Sequence, residues 1–324
     1  MRMVTFAWVV AAVAGLGAIV WGAEAFAEHL GKAAVALSVS SFALALLLAG
    51  AEPEELATGV IASARQVPAL AFGDVIGANV AMCLVALGIG AVVAPLPFGP
   101  RVRRYGLLGL PLGVVCAVFV WGGHVSRVQG GVLVGLYVAD VALIWALEGA
   151  PPAIGETGEV EEAREQAASG RLATRRVSKD VAIVIAGVLA MAGGGVLLVE
   201  GIRHVVHVQD TQTVVSLTIV GFATAFELVV LAWSAARRGA TETVIAAVVG
   251  SFAYNATMTL GAAALVRPLF VTVPGRLHVP AVFMVASLAV AIGLAWRSGR
   301  LTRRSGLALM SCYPVFVVVA VVVR

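Results

Sequence analysis

Residues 50–59 read GAEPEELATG and set Glu52, Glu54 and Glu55 around Pro53 in the middle of a long apolar run. A charged side chain at bilayer depth costs roughly 2.5–3.5 kcal/mol on insertion scales. Three carboxylates in four positions are therefore tolerated only where something polar faces them. What that something is decides both the fold and the function.

The runs on either side belong to a membrane protein. The chain is 60% hydrophobic and only 12% charged, with a mean hydropathy of +1.00. Apolar windows of about 20 residues, each long enough to cross ~30 Å of hydrocarbon, recur along its length. Ten are read, at 4–26, 34–62, 70–95, 104–123, 128–148, 180–202, 212–235, 241–265, 278–297 and 305–323. The first shows no small-residue cleavage site, so it is taken as a helix and not as a signal peptide. Cys83, Cys116 and Cys312 all fall inside spans with no paired spacing, which implies buried thiols and no disulfide framework.

The net charge of +4 is informative through its distribution. With the N-terminus outside, fifteen Lys and Arg residues fall on the cytoplasmic side and seven on the outer side. The excess places both termini outside, in a multi-pass protein of the plasma (inner) membrane. Nothing in this pattern points to nucleic acid; the bilayer is the expected surrounding.

One hydrophilic segment, 149–179, carries Pro, Gly and mixed charge and reads as a cytoplasmic linker with a short helix around 159–168. It divides the chain into five-span halves, 1–148 and 180–324. The halves repeat. A shift of 173 positions lays GDVIGANVAMCLVALG (73–88) on AAVVGSFAYNATMTLG (246–261), and the GAEPEE segment on LTIVGFATAFEL (217–228). Gly77 then meets Gly250, Gly88 meets Gly261 and Glu54 meets Glu227. An odd number of spans per half makes the second copy enter the membrane in the opposite sense. That is the inverted-repeat plan of secondary transporters, with the substrate site at the midplane between copies.

These repeats resemble the alpha-repeats of the sodium/calcium exchanger superfamily, marked by T-I-V-A-x-G-T-S-x-P-E-L followed by G-N-x-x-G-S-N-x-x-N. TIVGFATAFEL (218–228) and VVGSFAYN (248–255) are similar to the second repeat. LLLAGAEPEEL (46–56) and GDVIGANVAM (73–82) are similar to the first. The resemblance implies an all-α membrane protein of ten transmembrane helices in two inverted five-helix repeats. It implies Glu55 as the first-repeat cation ligand, with Thr224, Ser251 and Asn255 at matching polar positions of the second repeat. The chain departs from the pattern at several points. Ala51 and Glu52 replace Thr-Ser, Glu54 replaces Pro, Asp74 replaces Asn, Ala78 replaces Ser, and Met82 replaces the terminal Asn. The second-repeat glutamate position falls on Leu228 when the copies are aligned without gaps. A one-residue deletion at the missing proline, compensated in ARRGATET (236–243), brings Glu227 into register instead, and this version is preferred because a lone Glu227 facing lipid is costly.

The physics of the motif stands without the family. Calcium takes six to eight oxygens at about 2.3–2.6 Å. Helices broken near the midplane offer freed carbonyls, and each copy can add carboxylates. Pro53 supplies one such break because it lacks the N–H. Together with the resemblance, which implies the individual positions, the expected cation-binding set is Glu55, Glu52, Glu54, Glu227, Thr224, Ser251, Asn255 and Asp74, with Glu55 and Glu227 as the principal metal ligands. The function expected is secondary-active antiport of calcium, or another cation, against protons or sodium. The alternatives are a monovalent cation/proton exchanger and a degenerate, non-transporting scaffold or sensor. No resident cofactor is expected, only the transported ions. No Ser–His, Cys–His or zinc-ligand pair lies at bilayer depth, which speaks against an enzyme.

Weaker candidates complete the inventory. Asp140 and Glu24 lie inside spans, where pairing and a place in the ion path are equally open. Glu200, His204 and His207 sit near an outer helix end and read as interfacial before metal-binding. Gly193, Gly194 and Gly195 lie in an apolar helix and read as close packing.

Overall fold

The computed structural model describes residues 2–36, 52–148, 177–239 and 241–322. The first half holds α1 (Arg2–Ala36), α2 (Pro53–Ala64), α3 (Pro68–Val93), α4 (Pro100–Trp121) and α5 (Arg127–Glu148). The second holds α6 (Val177–Val205), α7 (209–224), α8 (Phe226–Arg238), α9 (241–266), α10 (Gly275–Trp296) and α11 (Arg303–Val322). Among the described residues nine helices are long and apolar enough to cross a membrane. The expected span 34–62 lies partly outside the described residues, which take it up again at Glu52 and α2. The expected linker helix around 159–168 also lies outside them.

Local chemistry explains where the helices begin. Pro53, Pro68 and Pro100 stand in the first turns of α2, α3 and α4, where a missing N–H costs nothing because that donor has no intrahelical partner anyway. Burial then sorts the bundle. The apolar stretches of α3 and α9 are 89% and 94% buried, against 22–44% for the other spans. These two helices form the centre, and the rest face lipid on one side.

The two halves repeat in detail that the sequence only suggested. The π-helical turn Met82–Ala86 within α3 recurs as Asn255–Thr259 within α9, 173 residues on. Left-handed residues end α2 at Gln66 and α8 at Gly239, and two further ones stand at Gly123 and Gly299. Four two-residue strands also repeat: β1 (Leu96–Pro97) and β3 (Leu269–Phe270) at the same offset, and β2 (His124–Val125) and β4 (Arg300–Leu301) three residues beyond it. Strand β1 pairs antiparallel with β4, and β2 with β3, so each half clasps the other in the same way. The helix contacts are likewise doubled. α3 crosses α11 where Gly88 meets Gly306, and α9 crosses α5 where Gly261 meets Gly130. A Cβ on Gly130 would lie 2.8 Å from the Gly261 carbonyl oxygen, and one on Gly261 2.8 Å from that of Gly130, so the backbones touch only because both residues are glycine.

Contacts between equivalent positions locate the axis of this pseudo-symmetry. Asn79 Nδ2 donates to the Phe252 carbonyl at 3.4 Å, and Asn255 Nδ2 approaches Met82 Sδ at 3.9 Å; both pairs are separated by 173 residues. The axis therefore runs between α3 and α9, beside the carboxylates of the opening motif.

Candidate cation site

Three elements bring the acids together. Glu52 precedes α2 as its N-cap, and its carbonyl accepts from the Glu55 and Leu56 amides at 3.1 and 3.0 Å. Glu54 and Glu55 occupy the first turn of α2, where the positive end of the helix dipole favours negative charge. Asp74 comes from α3. Its neighbours Gly73 and Gly77 let α3 lie directly on α7, with Gly77 against the Leu217 carbonyl. Across that contact Thr224 Oγ1 donates to Asp74 Oδ1 at 3.0 Å. On the other side Ser251 Oγ, from α9, donates to Glu52 Oε1.

Glu52, Glu54, Glu55, Asp74, Thr224, Ser251 and Asn255 are all buried, with Glu55 and Asp74 both at 0% exposure. Glu55 lies within electrostatic range of Asp74, Glu54 and Glu227. Among the described residues none of these carboxyl groups makes an ion pair with Lys, Arg or His. Several of their oxygens have no hydrogen-bond donor at all: both of Glu55, Glu54 Oε1, Asp74 Oδ2 and Glu227 Oε2. Burying an acceptor without a partner costs of order 2–7 kcal/mol, and a bare carboxylate far more. A cluster built this way needs a cation or protons to balance it.

Asn79 is a further buried polar side chain on α3, one that its sequence context in the GAN triplet at 77–79 did not single out. Its Nδ2 is held by the Phe252 carbonyl and by Met284 Sδ at 3.6 Å, which leaves Oδ1 buried and without a donor. Asn255 is oriented differently, since Thr259 Oγ1 donates to its Oδ1 at 3.1 Å. Among the described residues no three Asp, Glu, His or Cys side chains converge closely enough to cage a metal ion by themselves. Neutral oxygens have to complete any coordination shell here, and Thr224 and Ser251, each bonded to one of the acids, are placed to contribute.

The preferred register for Glu227 is corrected. Helix α8 begins at Phe226 as α2 begins at Pro53, and α9 begins at Thr241 as α3 begins at Pro68. The left-handed residues Gln66 and Gly239 keep the same spacing between them. With no residue lost anywhere in this stretch, Leu228 takes the place of Glu55 and is buried at 4% exposure. Glu227 takes the place of Glu54. It is half-buried and stands within electrostatic range of both the Glu52–Glu55 cluster and Glu24 on α1. The lipid-facing cost that motivated a deletion is met by this partial burial.

The remaining candidates lie elsewhere. Asp140 is half-buried on α5 beside Tyr137, whose ring meets Tyr254 edge-on at 5.2 Å. Glu24 is exposed. Glu200 pairs with Arg65 at 3.2 Å and Arg203 at 3.4 Å, and His204 stacks on Trp8 at 3.9 Å, which ties α1, α2 and α6 at one end. His207 is exposed, so the pair forms no metal site among the described residues. Gly194 packs on the Gly15 carbonyl and Gly195 on Ile61, as close packing requires, whereas Gly193 faces open space with nothing within 4 Å of an added Cβ. The three cysteines are free thiols, two of them buried.

The chain has relatives both in sequence and in fold. The family profile described as "Sodium/calcium exchanger protein" matches residues 7–146 and 179–322. The chain is 24% identical to the membrane protein MJ0091 of Methanocaldococcus jannaschii, over 91% of this chain and 89% of that one. It is 25% identical to the sodium/calcium exchanger MaX1 of Methanosarcina acetivorans, over 94% and 96% respectively. The solved structure of the sodium-calcium exchanger NCX_Mj soaked with 100 mM Na+ and 10 mM Sr2+ superimposes with a TM-score of 0.61 at 20% identity, covering 99% of each chain.

Proposed function

Given that the chain belongs to the sodium/calcium exchanger family, we propose that it is a secondary-active antiporter that carries calcium across the membrane against protons or sodium. The observation that carries this reading is the set of buried carboxylate oxygens without donors, clustered beside the pseudo-symmetry axis of an inverted-repeat bundle. Buried acids with no basic partner are costly to keep for packing alone and useful for binding a cation. Glu55 is the principal ligand, Asp74, Glu52 and Glu54 add charge, and Thr224 and Ser251 supply neutral oxygens. Glu227 lies at the edge of the site and attracts the ion towards it.

Alternating access follows from the architecture. The axis between α3 and α9 relates two halves that enter the membrane in opposite senses, so one arrangement opens the site to one side and its mirror arrangement to the other. Residues 1–148 and 180–324 are the two units, joined by the 149–179 linker, whose last residues from Val177 already belong to α6. The excess of basic residues puts that linker in the cytoplasm and both termini outside, in the plasma (inner) membrane.

Protons are the preferred counter-ion. Sodium sites are built from several neutral oxygens, and Ala51, Ala78, Met82 and Ala225 carry none in their side chains where the family pattern has them. Purified protein in proteoliposomes, loaded with Ca2+ and exposed in turn to imposed sodium and proton gradients, tests the whole reading. Ca2+ flux coupled to either gradient supports it. Absence of gradient-driven Ca2+ movement in correctly folded protein rejects it.

A further inference from the structure

Asp140 is an intramembrane acid that the candidate site does not use. It lies well inside α5, half-buried, and among the described residues it makes no ion pair with Lys, Arg or His. A carboxylate at that depth is costly, and acids kept there mark ion paths and proton relays. Tyr137, one turn before Asp140 and on the same side of α5, stands within its electrostatic range. The Tyr137 ring meets Tyr254 of α9 edge-on at 5.2 Å, and both tyrosines are buried. Tyr254 in turn stands within electrostatic range of Tyr137 and of Glu52, Glu54 and Glu55. It lies one turn after Ser251, which holds Glu52, and Leu56, next to Glu55, packs against the same pair of rings. A file of ionisable side chains thus joins α5 to the carboxylate cluster. The charged groups of α4 do not interrupt it: Arg101 and Arg104, with Tyr105, engage Glu148 two turns further along α5.

The inverted repeat shows what packing alone requires at these places. Helix α11 answers α5, and Gly306, like β4, stands three residues beyond the common offset from its counterpart Gly130. Tyr313 then answers Tyr137, but Asp140 is answered by Phe316 and Tyr254 by Ala81, both fully buried. Phe316 packs on the rings of Phe283 and Tyr313. The fold is therefore satisfied by a phenylalanine in the one place and an alanine in the other. An acid and a second phenol are additions that packing does not ask for.

Resting on the antiport reading above, with protons as the counter-ion, we propose that Tyr254, Tyr137 and Asp140 form a proton route to the carboxylate cluster, separate from the path of the cation. When the cation arrives, a carboxyl of the cluster gives up its proton. Each tyrosine hydroxyl takes up one proton and passes one on, so both end neutral, and the Asp140 carboxylate receives the last. No electrons are exchanged. The same steps in reverse reload the cluster after the cation has left.

The test uses the purified full chain in proteoliposomes, with Ca2+ flux and a pH-sensitive dye read together, and Ca2+ binding measured in detergent at alkaline pH. Asp140→Asn and Tyr254→Phe are each expected to slow Ca2+/H+ exchange about tenfold or more, the usual scale for removing one positioned proton-transfer group. Both should bind Ca2+ at alkaline pH with wild-type affinity and unfold at the wild-type temperature. Asp140→Glu, which restores an ionisable group, should recover most of the rate. The proposal is overturned by a wild-type exchange rate in either slowed variant, by Ca2+ binding lost together with exchange, or by Asp140→Glu no faster than Asp140→Asn. Wild-type Ca2+ flux that moves no protons also overturns it and leaves an antiporter coupled to sodium. Absence of Ca2+ flux in wild type rejects the antiport reading itself.

Discussion

Thr224 donates to Asp74 at 3.0 Å, and the inverted counterparts of these two residues, Ala51 and Ala247, are both alanine. Another polar bond between the halves behaves the same way: Ser251 donates to Glu52, and their counterparts are Ala78 and Ala225. In each bond the first half supplies the acid and the second half the hydroxyl. The fold is symmetric and the site is not. The carboxylate that symmetry would place at Leu228 is offset by acids at 52 and 74, so negative charge is concentrated on one half.

Asp74 should accordingly matter as much as a symmetric partner of Glu55 would. Asp74→Asn is expected to cut cation exchange by about tenfold or more, since a hydrogen bond to a charged group is worth roughly 1.5–3 kcal/mol and the charge itself is lost as well. Thr224→Val should reduce exchange less, because it removes the donor and leaves the acid. Initial rates of Ca2+ flux in proteoliposomes measure both. Equal rates in wild type and Asp74→Asn would show that the acid is structural.

Glu55 is the sharper case. Both its oxygens are buried without donors, so replacing the carboxylate by an amide breaks no hydrogen bond. Glu55→Gln should abolish exchange while leaving the thermal unfolding midpoint in detergent unchanged or higher, because an unbalanced buried charge is removed. Wild-type transport in this variant would exclude Glu55 as a ligand.

How far the sequence reached follows from which signals are local. Nine of the ten expected spans, the inverted halves and the 173-residue offset were legible because glycines, prolines and carboxylates recur at fixed spacing. The burial of Glu52, Glu54, Glu55 and Asp74 was legible because acids in apolar helices have few tolerable environments. Two features were not. The register of Glu227 depended on whether a residue was lost between α8 and α9, and only the matching helix starts and left-handed turns settle that. Asn79 escaped because its free Oδ1 results from where the Phe252 carbonyl and Met284 sulfur hold its amide, contacts that span 173 and 205 residues of sequence.

The glycine crossings give a stability test independent of transport. A Cβ on Gly306 would sit 2.5 Å from the Gly88 carbonyl oxygen, and one on Gly261 2.8 Å from that of Gly130. Gly306→Ala and Gly261→Ala should each destabilise the protein by about 1–3 kcal/mol, the usual cost of overpacking. Gly135→Ala on α5, with nothing within 4 Å of the added methyl, should be neutral or mildly stabilising. Thermal unfolding in one detergent compares all three. If Gly261→Ala matches Gly135→Ala, the two halves do not cross as described.

The coupling ion is decided by competition at the unpaired oxygens. Glu54, Glu55 and Asp74 carry acceptors that no donor of the protein satisfies, so a metal ion and protons are alternative ways of balancing them. Acid should therefore weaken cation binding and alkali strengthen it: lowering the pH on the loading side raises proton occupancy and slows Ca2+ entry, and raising it speeds entry until another step limits. An inside-acid gradient should drive Ca2+ into vesicles, because protons leaving the site on the far side free it for the ion entering. Sodium has no comparable foothold, given the alanines at 51, 78 and 225 and the thioether at 82. A protonophore should then collapse Ca2+ uptake, while an outward sodium gradient alone should drive little. Uptake driven by sodium, indifferent to the protonophore and flat in pH between about 6 and 8, would assign the exchange to sodium and require neutral oxygens from the backbone to build its site.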